Sequence, residues 1–173
     1  RPAAHNFTMS SPGILGVMCA SGKLVFAADP SPQTAFHLIE MEGVTTSALV
    51  PPLAQAWVAS AEKRGVSLPS LQTLQVGGSK LAPAVAGKIE SVLGCTVQQV
   101  FGMAEGLVNY TRSTDPIEMR LRTQGYPISP DDEILIVDDQ DQPVKRGESG
   151  HLLTRGPYTI RGYYLEENAN RYG

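Results

Sequence analysis

The sequence predicts an α/β fold: a parallel sheet flanked by helices, followed by a small antiparallel β-sheet or barrel portion. Three observations predict it. Helical and strand-like patterns alternate over the first hundred residues, with short connections. The strand-like runs are short and apolar or β-branched. After about Arg112 the alternation stops, and short strands separated by Gly, Pro and Asp clusters take its place.

Residues 4–11, AHNFTMSS, are polar and turn-like, and Pro12 suits the first turn of a helix behind a serine cap. Ile14, Leu15, Val17 and Met18 give a short apolar helix ending near Gly22. Leu24 to Ala28 reads as a buried strand. Asp29-Pro30-Ser31-Pro32 is a helix start, Phe36, Leu38, Ile39 and Met41 lie on one side of that helix, and Gly43 ends it. Thr45 to Val50 is a β-branched strand broken by Pro51-Pro52, which opens a helix carrying Leu53, Ala56, Trp57 and Ala61 at helical spacing. Trp57 is assigned to the core, because apolar helix faces normally pack inward. Leu71 to Val76 is a strand ending in Gly77-Gly78-Ser79-Lys80. Pro83 to Leu93 is a helix stopped by Gly94, and Thr96 to Phe101 is the next strand. Ser113 to Arg122 reads as a charged, irregular connection and Gly125 to Pro130 as turn-rich. Glu133 to Val137 and Gly150 to Thr154 are strands on either side of a turn at Asp138 to Gln142. A subdomain boundary is expected at 115–125, dividing the chain into residues 1–118 and 119–173.

With 173 residues, 42% of them hydrophobic and 18% charged, the chain can bury a core. A net charge of −3 with scattered basic residues leaves no footprint for nucleic acid or for an anionic membrane. No stretch reaches the roughly 18 apolar residues of a membrane span. The two cysteines, Cys19 and Cys95, fit neither a zinc pattern nor a disulfide scaffold, so a reducing, cytoplasmic setting is expected.

Two strand ends carry glycine, Gly77-Gly78-Ser79 and Gly102 to Gly106. Without a Cβ, glycine lets a flat ligand lie against backbone. On neighbouring parallel strands the two ends would form a slot, with Phe101 available to stack on a base. Taken singly, each is more simply a turn. Glu105 stands between Gly102 and Gly106 beyond a strand end, where parallel sheets place ligands. A carboxylate there suits magnesium, although the local pattern by itself favours a solvated loop acid. Asn6, after His5, and Ser11 offer donors and acceptors for a small polar ligand, and serve equally as caps. His37 and His151 stand far from His5 in sequence and read as structural or solvated. Walker-type, dinucleotide-binding and nucleophile-elbow motifs are absent from the sequence.

Taken together and in order, AHNFTMSSPG (residues 4–13), LVPPLAQAW (49–57), LQVGGSK (74–80), QQVFGMAEGLVNYTR (98–112) and GHLLTRGPYTIRGYY (150–164) closely resemble aryl-acid adenylating enzymes of siderophore biosynthesis. These are the 2,3-dihydroxybenzoate–AMP ligases of the acyl-CoA synthetase, adenylation-domain and luciferase superfamily. The resemblance covers essentially the whole chain. It implies part of the large N-terminal domain of that superfamily, with the aryl-acid and adenine pocket in residues 1–118 and the start of a β-rich subdomain in 119–173. It implies ATP and Mg²⁺, attack of an aryl carboxylate on the α-phosphorus, release of pyrophosphate, and transfer of the aryl group to the phosphopantetheine thiol of an aryl carrier protein. By resemblance, Asn6 bonds the acid's ortho hydroxyl, Ser11 faces the next ring hydroxyl and Val108 lines the ring. Gly77, Gly78 and Ser79 form the wall between ring and adenine. Val100 offers backbone to adenine, Phe101 flanks the base, and Gly102 opens the loop beside the nucleotide. Glu105 holds Mg²⁺, and His5 sits near the forming carboxylate–phosphate bond.

Relatives that activate salicylate tend to carry Cys and Leu at the places of Ser11 and Val108, so the smaller, more polar pair points to 2,3-dihydroxybenzoate. Ser79 departs from the usual alanine. Salicylate or another aryl acid is the alternative substrate, and a truncated, non-catalytic ligand- or carrier-binding module is the alternative of another class. The family's phosphate loop would precede residue 1. Its ribose-binding Asp, hinge and C-terminal domain with the adenylation Lys would follow residue 173. The expectation is that these 173 residues alone do not adenylate.

Overall fold

The computed structural model describes residues 13–164. It divides into two compact units, one with the described residues up to Gly102 and Asn109–Tyr126, the other with Met103–Val108 and the residues from Pro127 on.

The first unit opens with α1 (Gly13–Cys19), a short helix with no buried residue. The buried strand expected at Leu24 to Ala28 does not form: the segment has no regular structure, and Phe26 is 59% exposed. Apolar content alone does not make a strand, which needs a neighbouring ladder to satisfy its backbone.

α2 (Pro32–Glu42) starts as Asp29-Pro30-Ser31-Pro32 dictates. Ser31 is the N-cap, and its hydroxyl accepts the Thr34 amide at 3.3 Å. Asp29 accepts from the Ser31 amide and the Thr34 hydroxyl at 2.8 and 2.7 Å, and these bonds lower its pKa. β1 (Thr46–Leu49) follows, then α3 (Pro51–Arg64), β2 (Thr73–Gly77) and α4 (Pro83–Lys88). The helix expected to run to Leu93 changes after Lys88 into a π-helical stretch, Ile89–Leu93, before Gly94. β3 (Thr96–Gly102), β4 (Val108–Tyr110), α5 (Ile117–Arg122) and β5 (Tyr126–Pro127) complete the series.

The strand order is β1-β2-β3-β4-β5. β1 and β2 run parallel with Thr46 opposite Thr73, and β2 and β3 run parallel with Thr73 opposite Thr96 and Gly77 opposite Val100. Leu74, Val76 and Val97 pack into the core with Phe36, Ile39, Trp57, Ala61 and Ile89. Trp57 is 2% exposed and meets Phe36 edge-on, ring centroids 5.3 Å apart, as the helical spacing implied. On the other sheet face, Gln75 donates to Gln98 at 2.8 Å and Gln98 to the Thr111 carbonyl at 3.0 Å.

α5 and β4 were not expected. Arg120 of α5 pairs with Glu90, its Nε and Nη2 each 3.1 Å from a carboxylate oxygen, and buried Gln99 donates to the Arg120 carbonyl at 2.8 Å. β4 leads to buried Thr111, whose hydroxyl accepts the Gln99 amide at 2.9 Å and whose amide donates to the Gln99 carbonyl at 3.1 Å.

In the second unit, β6 (Glu133–Val137) and β7 (His151–Arg155) form an antiparallel pair with Glu133 opposite Arg155. Asp138 shapes the turn by accepting the Gln140 and Gln142 amides at 2.9 Å each. Arg155 reaches Glu133 through two hydrogen bonds, of 3.2 and 2.6 Å.

Candidate functional site

The carboxyl ends of β2 and β3 lie side by side because Gly77 is paired with Val100. A Cβ on Gly77 would sit 2.7 Å from the Val100 carbonyl oxygen and 2.9 Å from its Cβ. The close approach of the two strands therefore requires glycine there. Gly78 turns the chain away at φ +85°, which also favours glycine. Gly78 and Ser79 are exposed, Val100 is buried, Phe101 is half-buried and Gly102 is exposed. The structure thus brings Gly77, Gly78, Ser79, Val100, Phe101 and Gly102 together at one sheet end, where open α/β sheets place ligands. What it presents is glycine backbone, the Ser79 side chain and one aromatic ring.

Beyond Gly102 the chain enters a tight loop in the second unit. The Met103 amide donates to the Leu107 carbonyl at 3.0 Å and the Gly106 amide to the Met103 carbonyl at 3.2 Å. Val108 is half-buried, and its carbonyl accepts the Ile128 amide at 2.9 Å. Glu105 lies at the loop's tip and is tied to residues 159–163. Its carbonyl accepts the Ile160 amide at 2.8 Å, and its Oε1 accepts the Tyr163 hydroxyl at 2.8 Å. A Cβ on Gly106 would meet Thr159 Oγ1 at 2.8 Å and Cα at 3.0 Å, so glycine lets the two segments touch. The Tyr163 hydrogen bond, helped by the residue's own amide, holds the Glu105 carboxyl below its usual pKa. The same contact raises the pKa of Tyr163.

No group of three or more His, Cys, Asp or Glu side chains gathers around a metal position among the described residues. Glu105 supplies a single ionised carboxylate. That donor set fits magnesium, which keeps several waters and takes one or two carboxylates together with substrate phosphates. It does not fit an all-protein zinc or calcium cage. A polar cleft of about 240 Å³ lies over Thr46, Thr73, Gln75, Thr96, Gln98 and Ser113. Three of these residues begin the parallel strands, and none of the six is charged.

His5, Asn6 and Ser11 lie outside the described residues. His37 and His151 are exposed, and His151 contacts Asp139 at 3.0 Å. Sequence reasoning assigned no task to Thr159, Ile160 or Tyr163. Their signal was the GPYTIRGYY run itself, whose contact with Glu105 spans 58 positions and has no local pattern.

The model of the AMP-binding enzyme family matches residues 2–164. The chain belongs to the AMP-binding enzyme family. Among its curated relatives, the 2,3-dihydroxybenzoate-AMP ligase of Bacillus subtilis is 59% identical over 169 residues, covering 98% of this chain and 31% of that protein. The salicylyl-CoA synthase / salicylate adenylyltransferase of a Streptomyces species is 54% identical, covering 99% of this chain and 32% of that protein. Among solved structures, apo MbtA of Mycobacterium smegmatis matches with a TM-score of 0.88 at 50% identity, covering 97% of this chain and 31% of that one. This AMP-binding chain therefore spans about a third of the length of the relatives it matches. The family resemblance read from the motifs holds, as does the fold class of a helix-flanked parallel sheet followed by a small antiparallel one.

Proposed function

We propose that the full-length protein activates 2,3-dihydroxybenzoate with ATP and passes it to an aryl carrier protein in cytoplasmic siderophore biosynthesis. A carboxylate oxygen of the acid attacks the α-phosphorus, the bond to the β-phosphate oxygen breaks, and aryl-AMP and pyrophosphate result. The phosphopantetheine thiol of the carrier then takes the aryl group and AMP leaves. The observation that carries the reading is the paired strand end, where Gly77 faces Val100 and bare backbone stands beside Phe101. The names of the relatives support the substrate class.

In this reading residues 1–118 hold the pocket and 119–173 begin the β-rich portion. Gly77, Gly78 and Ser79 separate ring from adenine. Val100 and Gly102 offer backbone to the nucleotide, and Phe101 flanks the base. Asn6 bonds the ortho hydroxyl, Ser11 the next hydroxyl, Val108 lines the ring, and His5 stands near the forming bond. Glu105 holds Mg²⁺. Bound magnesium supplies neutralisation of phosphate charge during the transfer. The chain's own part is positioning and electrostatic stabilisation, without a protein nucleophile.

A salicylate ligase is the second reading, favoured by the 54% identity to a protein named for salicylate. ATP–pyrophosphate exchange with both acids, on the full-length protein, separates the two. A higher kcat/KM for 2,3-dihydroxybenzoate is expected, since a site built to pair a hydroxyl rejects the analogue lacking it. Preference for salicylate would overturn the Ser11 and Val108 assignment.

A further inference from the structure

We infer that Tyr163 is a positioning residue for the metal-binding carboxylate, holding Glu105 Oε1 so that Oε2 is the atom presented to the cation. The inference rests on the reading of Glu105 as the magnesium ligand. Three contacts converge on two loop residues: the Tyr163 hydroxyl on Glu105 Oε1 at 2.8 Å, the Ile160 amide on the Glu105 carbonyl at 2.8 Å, and Thr159 against Gly106. Two of them fix the backbone of the loop. Of the three, the tyrosine is the one that reaches the side chain, where the glutamate's own amide also contributes. A glutamate has three rotatable bonds, so a secured backbone leaves the carboxylate free to swing. A hydroxyl donated to one oxygen removes that freedom and leaves the second oxygen's lone pairs for a hard cation. Outer-shell hydrogen bonds of this kind orient ligating carboxylates, and losing one typically costs about 10–100-fold in metal affinity. Tyr163 is 44% exposed, which places the expected loss at the lower end.

The test uses the full-length protein with a non-hydrolysable ATP analogue. Mn²⁺ is titrated in, and the free ion is read from its paramagnetic signal. Tyr163→Phe should raise the Mn²⁺ dissociation constant about tenfold. Tyr164→Phe, one position on and 89% exposed, should leave it unchanged. In ATP–pyrophosphate exchange, Tyr163→Phe should raise the magnesium concentration for half-maximal rate yet recover kcat at saturating magnesium. Glu105→Gln should weaken Mn²⁺ binding without such recovery. Since the tyrosine is partly exposed, the phenylalanine variant keeps the fold, which a thermal melt verifies. If Tyr163→Phe binds Mn²⁺ like the wild type while Glu105→Gln does not, the positioning role falls and the ligand reading stands. If Glu105→Gln also binds like the wild type, both fall. Tighter binding by Tyr163→Phe would mean that the hydroxyl competes with the cation, and would overturn the inference. Equal weakening by Tyr164→Phe would assign the effect to the segment rather than to the hydroxyl.

Discussion

Gly77 and Val100 face each other across two parallel strands at a distance that admits no side chain on residue 77. The obstacle is the Val100 carbonyl, part of the backbone, so it cannot swing aside. Gly77→Ala should lower unfolding stability by about 1–3 kcal/mol, the cost of forcing an extra methyl into a packed site. Ser79→Ala, two residues on and exposed, should stay within about 0.5 kcal/mol. Chemical denaturation of the two variants measures this. Equal stability of Gly77→Ala and wild type would mean that the strands part more easily than their register implies.

Trp57 and Phe36 join α3 to α2 in an edge-on contact within the core. Trp57→Ala should cost about 3–5 kcal/mol, from lost burial plus the cavity left behind. The same denaturation midpoint reads it, and a loss under about 1 kcal/mol would contradict the core assignment.

Arg120 and Glu90 form a two-pronged, largely buried pair, and Glu90 also accepts the Val97 amide at 3.2 Å. Arg120→Met should destabilise by about 1–3 kcal/mol, because it leaves a poorly hydrated carboxylate without its cation. Glu118→Gln, which breaks the exposed pair with Arg122, should change stability by less than about 0.5 kcal/mol. Unfolding curves that rank these two changes the other way would contradict the account of α5.

Burial pushes the Cys95 thiol up to about 11, with Glu90 adding to the rise, whereas Cys19 is exposed. At pH 8, iodoacetamide should modify Cys19 readily and Cys95 only after unfolding. A raised folded-state pKa favours the protonated thiol. Its stabilising contribution is therefore complete below about 9, the ordinary thiol value, and is lost as the pH rises through about 11. Mass-spectrometric labelling across that window checks both statements.

These residues also show what the sequence made legible. Trp57 was placed by helical spacing, α2 by its Asp-Pro-Ser-Pro start, and β2 and β3 by their apolar runs. Each carries its cause in neighbouring residues. α5 was read as an irregular connection because it is six residues long and half of them are charged, and Arg120 and the buried Gln99 anchor it through polar bonds that no local pattern announces. Leu24 to Ala28 failed in the opposite way, with apolar residues but no strand. At the candidate site, the glycines and Glu105 were visible as a pattern. The bond from Tyr163 was not, because it joins residues 58 positions apart.

Aryl-acid adenylation, as proposed for the full-length protein, draws on the paired strand end and on Glu105. The most direct measurement is ATP–pyrophosphate exchange by the full-length protein, with and without 2,3-dihydroxybenzoate, in the wild type and in Glu105→Gln. The account predicts acid-dependent exchange in the wild type and a fall of at least about 100-fold in the variant, the order expected when a charge-stabilising group is removed from a phosphoryl-transfer site. Exchange absent with every aryl acid, or undiminished in Glu105→Gln, would contradict it.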